Sequence, residues 1–277
     1  MIRSALAAAL CLLALVPAAA AGELTLKGAF MQGGLVFGQG APGATASLDG
    51  KPLRMTADGG FVFGFGRDFP AKAALEVIWP DGSVETRELA IEPRAYDIQR
   101  IDGIAQKYVS PPEEVLARIR ADAEAAAVAR AADRAETDFD SGFIWPAEGR
   151  ISGVYGSQRI LNGEPRQPHY GVDIAAPVGS PVKAPADGVV TLAHPDMYFS
   201  GATLIIDHGH GLSSTFLHLD AIEVAVGQRV RQGEVVARLG KSGRVTGPHL
   251  DWRMNWRDQR IDPALLVPPM PEGQKTE

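Results

Sequence analysis

The sequence predicts a mainly β protein: a small antiparallel, immunoglobulin-like β-sandwich, one long linker helix, and a second antiparallel β-sheet domain. Three observations predict it. From Glu23 to about Arg100, short alternating apolar segments (LTLKGAF, LVFG, FVFGFG, ALEVIWPDG) are broken by Asp49-Gly50, Asp58-Gly59 and Asp81-Gly82, dipeptides favoured in tight hairpins because glycine accepts positive φ. Between about Ser110 and Thr137 the composition shifts to Ala, Arg and Glu. From Phe143 onward, glycine-rich period-two segments return (GVDIAAP, ATLIIDHG, LSSTFLHL, EVVARLG, HLDWRMNW).

Taken in order, residues 1–21 read as a secretory signal peptide. Arg3 precedes an apolar run, Ala5 to Val16, which ends in Pro17 and four alanines. The run falls short of the roughly 20 residues that span a bilayer. The only cysteine, Cys11, follows Leu10 rather than the small residue a lipoprotein signal needs, so no membrane anchor is expected after cleavage. The remaining chain then has no thiol, which excludes disulfides and thiolate chemistry.

The net charge is −6, or −7 once Arg3 is removed, and offers no basic face for phosphate-backbone binding. Nucleic acid is therefore not an expected partner.

Residues 22–103 form the expected accessory sandwich of about seven strands. Residues 104–140 form the helical linker. Ser110-Pro111-Pro112-Glu113 offers an N-cap serine, proline at the first helical position and an acid three residues on. Its apolar residues are mostly alanine, which predicts a spacer with weak packing. Residues 141–268 form the second β domain, and 269–277 a frayed tail.

All six histidines lie after residue 168: His169, His194, His208, His210, His218 and His249. His249 and Asp251 are two apart, so on a strand they face one side about 7 Å apart. His169 and Asp173 are four apart, roughly 13 Å along a straight strand, and Gly171 between them permits a bend. Imidazole and carboxylate are zinc ligands, and a catalytic zinc keeps three protein ligands and one open position for water. His194 and His210 read as exposed.

The ordered series GVYGSQR, HYGVDIAAPVGSPVKAPADGVV, LIIDHGHGLSSTFLHL and VAVGQRVRQGEVVARLGKSGRVTGPHLDW resembles the LytM/lysostaphin-type zinc metallopeptidases over roughly Phe143 to Val267. The resemblance implies an exported metalloendopeptidase, periplasmic or secreted, that hydrolyses peptide bonds of peptidoglycan through metal-activated water. It implies one Zn²⁺, or another divalent metal, bound by His169 and Asp173, with His218 and His249 as the catalytic pair.

The family's third ligand is the second histidine of HxH, and this chain has Asp251 there. Two carboxylates would neutralise Zn²⁺ and weaken its polarisation of water. Tyr155, Arg159 and His208 are placed on the groove as substrate contacts.

A second reading is a catalytically degenerate regulator of the same shape, which binds and activates another cell-wall hydrolase or divisome protein. A swinging-arm carrier is excluded because LGKSGR lacks the lysine setting that biotinyl and lipoyl domains need.

Overall fold

The computed structural model describes residues 23–102 and 113–271. The expected leader and the helix start at Ser110-Pro111 lie outside the described residues.

Seven strands come first: β1 (Thr25–Gly28), β2 (Leu35–Gln39), β3 (Thr45–Leu48), β4 (Lys51–Pro52), β5 (Gly60–Gly64), β6 (Lys72–Ile78) and β7 (Val84–Ala90). They form two antiparallel sheets, ordered β1-β2-β5 and β4-β3-β6-β7. Strand β6 shows why: Ala73, Leu75 and Val77 are buried and the residues between them exposed, the period that seats one face on a core. Asp49 and Gly50 both have positive φ between the paired Leu48 and Lys51, the conformation a two-residue hairpin demands. Strand β8 (Ile98–Ile101) leaves these sheets and pairs in parallel with β10 (Gln158–Leu161).

Helix α1 (Leu116–Arg130) follows a 3₁₀ turn at Glu113–Val115 and ends seven residues before the expected Thr137. Tertiary contacts overrule the helical composition. Arg134 is ion-paired with Asp207 and with Asp138, whose other oxygen binds Arg229 at 2.6 Å. The backbone of 134–138 hydrogen-bonds to His208 and His210 instead of continuing the helix.

Packing is thin, as expected, since Ala129 is the one buried residue of α1, but the helix is not a free spacer. Arg118 reaches Asp196 at 2.7 Å, and Asp122 accepts the Tyr198 N–H at 2.7 Å. The helix is docked on the second domain.

That domain adds β9 (Arg150–Gly153), β11 (Glu164–Pro165), β12 (Gly171–Ala175), β13 (Pro181–Lys183), β14 (Gly188–Met197), β15 (Gly201–Gly209), β16 (Leu212–Ile222), β17 (Arg229–Val230), β18 (Val235–Leu239), β19 (Leu250–Trp256) and β20 (Gln259–Ile261). Its main sheet runs β17-β14-β15-β16-β19-β12-β9.

One face carries the core: Leu204, Ile206, Phe216, Leu250, Trp252 and Met254. Burying each such side chain is worth about 1.5–3 kcal/mol. The alternate residues make a polar face that is nevertheless buried: Thr203, Asp207, Ser213, Thr215, Asp251 and Asn255. Arg134, just past α1, reaches Asp207 on this face, so the helix and the segment after it lie on the polar side.

The two β regions share one continuous core. Arg94–Asp262 at 2.8 Å ties them further, and the bidentate Arg54–Asp133 pair ties the first region to the segment after α1.

Candidate metal centre

Asp173 on β12 and Asp251 on β19 are direct cross-strand partners. Like charges placed opposite one another destabilise a sheet unless something offsets them. His169, just before β12, lies between them: Nε2 is 3.0 Å from Asp173 Oδ1 and 3.5 Å from Asp251 Oδ2. One atom from each of the three residues fits within 4.8 Å of the others. Tetrahedral ligands at zinc–ligand distances of 2.0–2.1 Å lie roughly 3.4 Å apart.

His169 Nε2 and Asp173 Oδ1 are buried and make no hydrogen bond despite their proximity. Buried polar atoms are almost always partnered, so an imidazole nitrogen and a carboxylate oxygen that face one another with no third partner fit a shared cation, proton or metal.

The approach depends on small residues. A Cβ at Gly153 would sit 2.2 Å from Asp173 Oδ2, and one at Gly171 2.3 Å from Asp251 Oδ1. Gly171 therefore supplies clearance, not the expected bend, and its φ is not positive.

Backbone carbonyls set the imidazole tautomers. The Nδ1 atoms of His169, His218 and His249 lie 3.1, 2.9 and 2.9 Å from the carbonyl oxygens of Val154, Ser242 and Gly247. A carbonyl only accepts, so each Nδ1 donates and each neutral ring keeps its Nε2 lone pair free.

His218 and His249 stand side by side, ring centroids 4.9 Å apart, with His249 Nε2 3.8 Å from Asp173 Oδ1. The local cause is a bulge: the register shifts where Leu217 and His218 oppose Thr203, and His218 adopts φ 64°. Bulges re-aim side chains beside functional sites.

Charge is unevenly distributed. Burial opposes a charge on His169, but Asp173 and Asp251 outweigh it and raise its pKa to about 10. Burial lowers that of His218, keeping it neutral at pH 7. Burial also opposes ionisation of Asp251, yet Arg253 and His169 hold its carboxyl well below the usual range. Arg253 grips both Asp251 oxygens, Nε at 3.0 Å from each and Nη2 at 2.5 Å from Oδ2. Sequence reasoning missed Arg253. Its signal was the two-residue spacing from Asp251 on a strand facing another carboxylate.

The structure thus brings together His169, Asp173, Asp251, His218 and His249. Two of the three expected substrate contacts are buried and bonded elsewhere. His208 is fully buried on the core side, bonded to Asp187 O and Ser214 Oγ and packed edge-on to Phe143. Tyr155 is 3% exposed and donates its hydroxyl to Arg260 O. Neither can meet a ligand as placed. Arg159 is exposed on β10, a strand outside the main sheet. His210, expected at the surface, is buried against Phe139.

Known proteins resemble this chain in sequence and in fold. Residues 167–263 match the model of Peptidase family M23. The chain is 40% identical over 104 residues to the DD-carboxypeptidase/endopeptidase Mpg of Neisseria meningitidis, covering 38% of this chain and 24% of that protein. It is 36% identical over 124 residues to the peptidoglycan DD-endopeptidase ShyA of Vibrio cholerae, covering 44% and 28%. The chain thus spans about a quarter of the length of these relatives.

A crystal structure of a putative peptidase M23 from Pseudomonas aeruginosa aligns over 85% of this chain and 94% of that one, with TM-score 0.66 and 29% identity. The match extends well beyond the second β domain. Motif order, strand placement and these relatives lead to one conclusion: the C-terminal part of this chain is a peptidase family M23 domain of the LytM/lysostaphin type.

Proposed function

We propose that this chain is an exported, metal-dependent endopeptidase that hydrolyses peptide bonds in peptidoglycan stem peptides or cross-links. The observation that carries it is the convergence of His169 Nε2, Asp173 Oδ1 and an Asp251 oxygen, with two of those atoms buried and unpartnered. The peptidoglycan substrate class rests on what the relatives are named for.

His169, Asp173 and Asp251 would hold a divalent ion, zinc by the chemistry of the donor set. That ion supplies Lewis acidity to a water and to the scissile carbonyl. His218 is neutral at pH 7 with Nε2 free, so it can take a proton from the attacking water and return it to the leaving amine. His249, at 4.9 Å, is placed to donate to the oxyanion once protonated at Nε2. Removing either ring lowers kcat/KM by about 10²–10⁴.

Export rests on residues 1–21, and no helix among the described residues is long and apolar enough to cross a membrane. The experiment is digestion of purified cell wall by the purified chain, with released muropeptides separated by mass. Activity that is abolished by a chelator and restored by zinc is expected. No release at any metal loading would overturn the enzyme reading.

A further inference from the structure

Arg253 is the residue at the centre that the hydrolytic reading leaves without a task. Its guanidinium engages both oxygens of Asp251 through three contacts of 2.5–3.0 Å. Asp251 is 2% exposed, and the two residues point to one side of β19 because they are two apart. The opposite residue on β12 is Gly171, and a Cβ there would come within 2.6 Å of Arg253 Cγ. The strand pair is therefore built around the fork.

On the reading that His169, Asp173 and Asp251 hold a divalent cation, we propose that Arg253 is a positioning residue for that centre. It fixes Asp251 as a one-oxygen ligand and offsets its charge, so that the pair acts as a formally neutral ligand. Two consequences follow from the geometry. The centre's two carboxylate charges are offset to one, the charge that two imidazoles and one carboxylate would present. A fork on both oxygens also competes with the two-oxygen chelation used by larger, oxygen-preferring cations, and Oδ2, the oxygen 3.5 Å from His169 Nε2, takes two of the three Arg253 contacts.

The test is competition against a chromogenic chelator with Zn²⁺ and with Mn²⁺, on the full chain as native, Arg253→Met and Arg253→Lys, with circular dichroism to establish that each is folded. Methionine removes charge and fork. Zinc should bind about tenfold more tightly and the preference for Zn²⁺ over Mn²⁺ should narrow about tenfold. Lysine keeps the charge without the bidentate geometry. Zinc affinity should stay within about threefold of native while the preference still narrows.

A folded Arg253→Met chain with native zinc affinity and native preference overturns the proposal, because a residue that merely braces two strands would move neither. If methionine does not fold, native preference in Arg253→Lys overturns the fork. A native chain that binds neither ion refutes the metal reading itself, a result distinct from normal binding that Arg253 fails to influence.

Discussion

Asp173 and Asp251 are the same residue type, opposite one another on neighbouring strands, and yet chemically unlike. The Asp173 side chain is 22% exposed, and the base facing it is His169. Asp251 is buried and has Arg253 on both its oxygens as well as His169 nearby. The contrast shows how one site uses two carboxylates: one keeps a buried oxygen without a hydrogen bond, the other is embedded in a permanent ion pair. The first is poised for a ligand, whereas the second is also part of what holds β12 and β19 together.

Neutralising each carboxylate in turn sharpens that division. Asp173→Asn and Asp251→Asn should both abolish metal-dependent turnover. Their effects on the metal-free fold should differ. Asp251→Asn leaves Arg253 without its anion and should cost about 3 kcal/mol, the low end for a broken buried pair, because 24% of the Arg253 side chain remains in water. Asp173→Asn removes a cross-strand repulsion along with an attraction to His169 and should stay within about 1 kcal/mol of native. Urea unfolding with chelator present measures both, and equal losses would erase the distinction.

A smaller effect is expected from restoring imidazole at 251. Asp251→His alone strands the Arg253 cation, whereas Asp251→His with Arg253→Met does not. The double variant should recover about 1–2 kcal/mol relative to the single one, a coupling that a double-mutant cycle reads directly.

pH separates the carboxylates' partners next. The His169 pKa is raised from 6.5 to about 10 in the folded, cation-free chain, so its contribution to stability is complete below pH 6.5 and disappears as pH climbs through 10. Asp251 is shifted downward. Its contribution is complete above the ordinary carboxylate value near 3.8 and is lost only as acid protonates it. With chelator, the melting temperature should therefore decline between pH 6.5 and 10 after subtracting the same scan of His169→Gln. Saturating zinc replaces the proton on His169 and should flatten that decline. A decline of equal size in both metal states would mean that His169 is not the group responsible.

How much of this was legible beforehand follows from which forces are local. The Asp-Gly turns and the alternation in β6 are written in neighbouring residues, and the structure reproduces them. The motif spacings named the histidines and aspartates that converge. Helix α1 was extended too far because alanine and arginine favour helix locally, while the pull on Arg134 comes from Asp207, far away in sequence. The burial of His210 has the same origin, since what covers it is the segment after α1, through Ala135 and Phe139. Arg253 went unnoticed because its role exists only once β12 and β19 are in register. The carbonyls that orient the imidazoles are main-chain atoms with no residue signature at all.

The smallest expected effect concerns the polar face between these carboxylates and α1. Ser214 and Thr215 are neighbours on β16 with opposite outlooks. The Ser214 hydroxyl lies on the core side, bonded to His208 Nε2 at 2.8 Å and within 3.4 Å of Trp252 Nε1. The Thr215 hydroxyl is buried on the polar face opposite Arg253 and has no hydrogen-bond partner. Removing a partnered hydroxyl leaves a buried imidazole nitrogen unsatisfied, so Ser214→Ala should cost about 1–2 kcal/mol. Thr215→Val keeps the shape and removes an unpaired group, so it should be neutral or stabilising by up to about 1 kcal/mol. Denaturant midpoints for the two variants decide it. A cost at Thr215 matching that at Ser214 would mean that its hydroxyl is partnered in solution, and that the polar face is satisfied along its whole length.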